Sequence, residues 1–229
     1  MEKRIRLEKV LPAEIEKRSF EIISEELGDI MLDPVQEPVI KRVIHATADF
    51  DYVKNLCFSE DAVIKMQSAI RSGACIVTDT QMAKSGINKK ELSQYGGEVY
   101  CFMSDKDVAG KAKQQNSTRA VVSMDKAALL DKELIFAVGN APTALVRLYE
   151  LLLEGKIEPK GIIGVPVGFV NVVEAKELIL QTKIPYIVAR GRKGGSNVAA
   201  AICNALLYGM RGKGEKISIA HGRTMRKEI

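Results

Sequence analysis

The chain reads as an α/β protein of three layers, α/β/α, built on an open, mainly parallel sheet of the flavodoxin kind and preceded by N-terminal helices. Three observations predict this. From Tyr52 onward, short apolar runs alternate with segments of helical period, the pattern of parallel strands covered by helices. Right-handed crossovers wind such units onto both faces of one sheet. No internal repeat and no low-complexity linker interrupts the pattern, so residues 1–229 are expected to form one domain with a basic C-terminal tail at about 210–229.

Taken in order, residues 11–27 show an amphipathic helical period, with Ile15, Ser19, Ile22 and Ile23 on one side. A serine on such a stripe commonly bonds back to its own helix, so Ser19 is first a filler and only then a ligand. A second helix is expected within 33–49, where Val39, Ile40, Val43 and Ile44 recur at three- and four-residue spacing. Asp33 and Pro34 suggest its start, and Pro38 still falls in the first turns. Strands are expected over 53–58, 74–78, 98–102, 134–138, 161–165 and 186–188. Helices are expected around 60–72, 89–95, 105–113, 117–130, 142–154 and 173–182, with a last one from Ser196 through Leu207.

Composition excludes several classes. The hydrophobic content of 46% and charged content of 28% are those of a soluble globular chain. No apolar run reaches the ~18 residues of a membrane helix, and the first ten residues have no signal-peptide core, so a cytoplasmic protein with no membrane partner is expected. Cys57, Cys75, Cys101 and Cys203 are widely spaced and form no C-x-x-C pair, which argues for reduced, packed thiols and no metal site. The formal charge is +5, and Arg211, Lys213, Lys216, Arg223, Arg226 and Lys227 crowd the terminus. With no tryptophan and 5% aromatics there is no stacking platform, so a nucleic-acid partner is not expected. A net positive protein does suit a polyanionic small molecule.

The helix within 33–49 carries His45 near its end; the other histidine, His221, lies in the tail. An imidazole beside the last carbonyls of a helix feels the negative end of its dipole, and histidine titrates closest to neutral pH. Proton donor and half-buried structural histidine both remain open on this segment alone. Asp49 and Asp51 stand near enough in sequence to orient the ring, although acids at helix ends are commonly just solvated.

In doubly wound sheets, ligands bind beyond the carboxyl ends of the strands. Ile76-Val-Thr-Asp-Thr80, Val138-Gly-Asn-Ala-Pro-Thr143, Gly164-Val-Pro-Val-Gly-Phe-Val-Asn171 and Ala189-Arg-Gly-Arg-Lys-Gly-Gly-Ser-Asn197 all fall there. Their helix-start amides, with Arg190, Arg192 and Lys193, suit anions. Arg119, after Gln114-Gln-Asn-Ser-Thr118, either grips a substrate carboxylate or is an ordinary surface arginine. There is no G-x-G-x-x-G after the first strand, no G-x-x-x-x-G-K-[ST] and no G-x-S-x-G elbow, so neither a nucleotide fingerprint nor a serine nucleophile is present.

Arg42-Val-Ile-His-Ala-Thr-Ala-Asp49, Thr78-Asp-Thr80, Gly139-Asn-Ala-Pro-Thr-Ala-Leu145, Gly164 through Asn171 with Glu174 and Lys176, and Gly191-Arg-Lys-Gly-Gly-Ser196 resemble the precorrin-8X methylmutase family. The match runs in order from about Ser19 to Leu207. The resemblance implies an isomerase of cobalamin biosynthesis that moves a methyl group on ring C of a tetrapyrrole from the α carbon to the adjacent β carbon. The product would be hydrogenobyrinate or cobalt-bearing cobyrinate, formed without a cofactor. It implies a homodimer, with His45 as proton donor for a 1,5-sigmatropic shift. Ser19, Thr80, Arg119, Asn140, Gly168 and Arg192 are the implied substrate contacts. A corrinoid carrier without chemistry of its own is the alternative; it shares the anion-binding loops but needs no titrating residue at the helix end.

Overall fold

A computed structural model describes residues 8–211 of the chain. His221 and the basic tail beyond Arg211 lie outside the described residues, and so do the expectations placed on them.

The strands are β1 (Leu56–Phe58), β2 (Cys75–Thr78), β3 (Val99–Tyr100), β4 (Leu134–Val138), β5 (Gly161–Gly164) and β6 (Tyr186–Ala189). They form one sheet in the order β1-β6-β5-β4-β2-β3. The contacts from β3 through β6 are all parallel, and only β1 runs antiparallel, at the edge beside β6. Leaving out β1, the five parallel strands follow the flavodoxin order, second-first-third-fourth-fifth. The expected sheet is therefore the observed one.

Burial on both faces explains why its strands read as continuous apolar runs. Ile76, Ile135, Ala137, Ile163, Ile187 and Ala189 face one helix layer. Their neighbours Val77, Phe136, Val138, Ile162 and Val188 face the other, as the two-residue period of a strand requires. The first layer contains α1 (Ile15–Leu27), α2 (Glu37–Thr47), α4 (Ala62–Arg71), α5 (Gln81–Gly86) and α11 (Ser196–Tyr208). The second contains α8 (Arg119–Ala127), α9 (Pro142–Leu153) and α10 (Val172–Leu180). Three further helices, α3 (Tyr52–Asn55), α6 (Lys89–Ser93) and α7 (Lys106–Gln114), complete the connections. Val39, Ile40, Val43 and Ile44 are all buried, so the stripe read from sequence is the face of α2 that meets the core.

Several boundaries differ from expectation, each for a local reason. Residues 53–58 do not form one strand: α3 takes the first half, and only β1 pairs. Asp33 does not cap α2. Its Oδ1 accepts the backbone N–H groups of Val35 and Gln36, closing a turn before the helix, while Pro38 sits in the first helical turn. The first helix opens with a 3-10 turn at Pro12–Glu14. The helix expected over 117–130 runs only over Arg119–Ala127; the Thr118 hydroxyl accepts the Val121 N–H and so caps its start two residues later than expected. Helix α5 was not anticipated; Thr80 begins it by accepting the Ala83 N–H.

Candidate active site

The carboxyl ends of β2 and β4 lie side by side where the strand order reverses, the place at which doubly wound sheets hold their ligands. Just past β2, Asp79 is wholly buried. Its carboxylate accepts three successive amides of the β4–α9 loop, from Gly139 at 2.8 Å, Asn140 at 2.8 Å and Ala141 at 2.6 Å. Burial drives its pKa up, and the three N–H bonds act against that shift. An internal carboxylate thus fills the anion site expected of this loop. The Asn140 side chain is left exposed on the rim.

Thr80 does two things at once. Besides capping α5, its hydroxyl lies 2.8 Å from the Ser196 hydroxyl at the start of α11. Gly139 packs against the same spot: a Cβ there would stand 2.8 Å from the Gly195 oxygen and the Ser196 Cα. Only glycine lets the two loops approach so closely.

The β6–α11 loop is the most constrained part of the rim. Gly195 N–H donates to the Val165 carbonyl at 2.9 Å, and a Cβ on Gly194 would lie 2.1 Å from that same oxygen. Lys176 on α10 is fully buried, and its ammonium donates to the Gly191 and Lys193 carbonyls, both at 2.8 Å. Burial pulls its pKa down to about 8. Gly168 N–H donates to the Arg192 carbonyl at 3.2 Å, and the Arg192 guanidinium rests 5.7 Å from the exposed Phe169 ring.

The three cations expected to receive an anion here divide. Arg190 pairs with Glu177 at 3.0 Å. Lys193 bridges Asp49 at 2.7 Å and Asp51 at 2.5 Å, and its bond holds the Asp49 carboxyl below the usual range. Among the described residues only Arg192 of the three has no carboxylate partner. Asp49 and Asp51 therefore join helix end to loop, and neither serves as the orienting partner of His45.

That bridge ties down the chain just past His45. His45 occupies the last turn of α2, which Ala48 closes in left-handed conformation by donating to the Ile44 carbonyl. The Asn197 amide reaches the Ala46 carbonyl at 3.4 Å, so this helix end stands against the start of α11, at the rim. The imidazole is exposed and lies on an open groove of about 290 Å³ with Ser19, Ile22, Glu26, Ile44, Ala48 and Phe50 among its lining residues. Ser19 does bond back to its own helix, donating to the Ile15 carbonyl at 2.8 Å. The His45 ring stacks on Phe20, with centroids 5.2 Å apart and planes 16° from parallel.

Of the residues named from sequence, the structure gathers His45 and Ser19 in one groove, and Thr80, Asn140, Gly168 and Arg192 along the adjoining strand exits. Arg119 starts α8 in the opposite helix layer. Its neighbour Thr118 lies 3.1 Å from Thr143 at the head of α9, which sets Arg119 on the Asn140 side of the rim. Phe20 escaped the sequence reading because nothing local ties it to a histidine on another helix. Asp79 did leave a signal, an acid directly behind a fully apolar strand. Among the described residues no group of histidine, cysteine and carboxylate could hold a metal ion.

Known proteins place these features in context. The family profile described as precorrin-8X methylmutase matches residues 14–209. The cobalt-precorrin-8 methylmutase of Salmonella typhimurium is 48% identical over 206 residues, covering 87% of this chain and 96% of its own. That of Priestia megaterium is 46% identical over 197 residues, covering 86% and 88%. A crystal structure described as a precorrin-8x methyl mutase from Thermus thermophilus superposes with a TM-score of 0.79 at 39% identity, covering 88% of this chain and 98% of that one.

Proposed function

This chain belongs to the precorrin-8X methylmutase family and is accordingly an isomerase of cobalamin biosynthesis, and we propose that His45 is the proton donor of its methyl shift. The observation that carries the proposal is the place of the imidazole: exposed, at a helix end, on a groove that adjoins the ligand-binding edge of the sheet.

The chemistry asks for little else. A protonated imidazole gives its proton to the conjugated ring system and draws electron density away from the migrating centre. The methyl group moves with its bonding pair from the α carbon of ring C to the adjacent β carbon, one carbon–carbon bond breaking as the other forms. The imidazole recovers its proton as conjugation is re-established. Atoms and charge balance within substrate and enzyme, so neither a nucleophile nor a co-reactant is called for. General acid catalysis of this kind supplies ~10²–10⁴-fold.

The acetate and propionate fringe of the tetrapyrrole is taken up by the rim. Arg192 and Arg119 supply charge-assisted bonds, Asn140 its side-chain N–H groups, and Thr80 and Ser19 hydroxyl donors, Ser19 by turning away from the Ile15 carbonyl. Gly168, whose N–H is already given to Arg192, contributes shape. The groove of about 290 Å³ falls at the low end of the ~300–1,000 Å³ of small-molecule sites. It is open to solvent along one side, and a homodimer in which a second copy closes over it accords with that opening. A cytoplasmic location accords with a chain in which, among the described residues, no helix is long and apolar enough to cross a membrane.

His45→Ala tests the reading. It should still bind the corrinoid product, while kcat drops at least ~100-fold; near-normal turnover by this variant rejects the donor. Relatives named for the cobalt-bearing substrate are 46% and 48% identical, which supports cobalt-precorrin-8 as the substrate. Equal kcat/KM on the metal-free compound would count against that choice.

A further inference from the structure

We propose that Phe20 is a positioning residue for the His45 imidazole, itself held in place by Arg42 and Glu16. The inference rests on the proton-donor reading above and adds to it a device that aims the donor.

His45 is exposed, and among the described residues its ring has no hydrogen-bonded side-chain partner. A side chain at the edge of a groove, with two free torsions, samples several directions. Proton transfer requires it within hydrogen-bond reach of one atom. The Phe20 stack, 5.2 Å between centroids and 16° from parallel, is the contact that restricts the ring.

Phe20 is not a loose partner. The Arg42 guanidinium, one turn before His45 on α2, lies 4.7 Å from the Phe20 ring centroid and 5.1 Å from that of Tyr208 on α11. Glu16, one turn before Phe20 on α1, is paired with Arg42, and that bond holds its carboxyl below the usual range. Arg211 continues the column, 4.1 Å from the Tyr208 ring and 2.7 Å from Glu91. Side chains from α1, α2 and α11 thus form one stack, His45, Phe20, Arg42, Tyr208, Arg211, with an acid fastening each arginine. The groove edge that bears His45 is therefore registered against α11, the helix whose first residues sit at the strand exits. Simple core packing explains an aromatic ring between helices. It does not explain a ring lying nearly parallel to an exposed imidazole, with a paired guanidinium on the same ring.

The first measurement needs no variant. In the full-length wild-type chain the His45 ring protons, assigned by their loss in His45→Ala, should be displaced upfield by the Phe20 ring current. With two histidines in the sequence the assignment is simple. The second compares turnover. Phe20→Leu should lower kcat on the order of 10- to 100-fold with KM within about twofold, and Phe20→Tyr, which keeps the stack, should restore it. Undisplaced His45 protons overturn the proposal, as does a Phe20→Leu enzyme with unchanged kcat or a loss confined to KM. The two readings fail separately. Full turnover by His45→Ala removes the donor and this role with it, whereas collapse of His45→Ala beside an unaffected Phe20→Leu removes the positioning role alone.

Discussion

Asp79 and Ala141, 62 positions apart in the chain, are joined by a 2.6 Å bond from the Ala141 amide to the buried carboxylate. With the bonds from Gly139 and Asn140 it welds the exit of β2 to the head of α9, at the point where strand order reverses. The loop that presents Asn140 is thereby built around an anion of the protein's own.

Replacing that anion should be costly. Asp79→Asn keeps one carbonyl oxygen but turns an NH₂ group toward amide donors, leaving buried N–H groups without acceptors. Bonds to a charged acceptor are worth about 1.5–3 kcal/mol each, and unsatisfied donors add a penalty. A loss of roughly 2–4 kcal/mol in unfolding free energy is expected, measured by urea denaturation. A variant as stable as wild type would mean the three bonds are not what holds the loop.

Lys176 gives the stability a pH dependence of known sign. Its pKa falls on folding to about 8, from the ~10.4 of an unfolded lysine. The folded chain therefore binds that proton less tightly, and stability rises with pH between the two values. The cost of burying the charge is fully present below about 8. Lys176→Met cannot titrate, so urea midpoints of the two proteins, compared from pH 7 to 10.5, should show a rising slope in wild type that the variant lacks. Parallel curves would rule out lysine as the source. The variant also leaves the Gly191 and Lys193 carbonyls without their donor, and amide exchange in that loop should quicken.

Arg192 and Arg190 sit two residues apart and should behave differently. Arg190 is engaged with Glu177, while Arg192 rests on Phe169 at the exposed rim. Arg192→Ala is expected to raise KM for the tetrapyrrole about 10- to 100-fold, the worth of one charge-assisted bond, with kcat little changed. Arg190→Ala should leave both within about threefold, as for a surface ion pair. Steady-state kinetics on the two variants decides; equal effects would show that the loop acts only through its overall charge.

Much of this was legible before any coordinates. Alternation of apolar runs with helical periods gave away the sheet and its two helix layers, and the edge strands departed from it most, β1 pairing antiparallel over three residues and β3 keeping two of the five expected. The spacing of Val39, Ile40, Val43 and Ile44 set the buried face of α2 and so put His45 in its last turn. Such patterns survive in one dimension because helix and strand periods are properties of neighbouring residues.

Partners could not be read the same way. Asp49 and Asp51 looked like either orienting acids for the nearest histidine or solvated helix-end acids, yet they bind Lys193, more than 140 positions away. The amides at 139–141 looked ready for a ligand, yet Asp79 holds them. Serine and threonine at 80 and 196 carried no mark of their 2.8 Å meeting. By itself the sequence determined most of the segments that coil or extend, and that one imidazole would end a helix beside glycine-rich strand exits. Which acid met which cation, and which ring lay against His45, was decided only when crossovers set the strand order and brought α1, α2 and α11 together. Charges and rings interact across a few ångströms of space, and that distance has no counterpart in chain position.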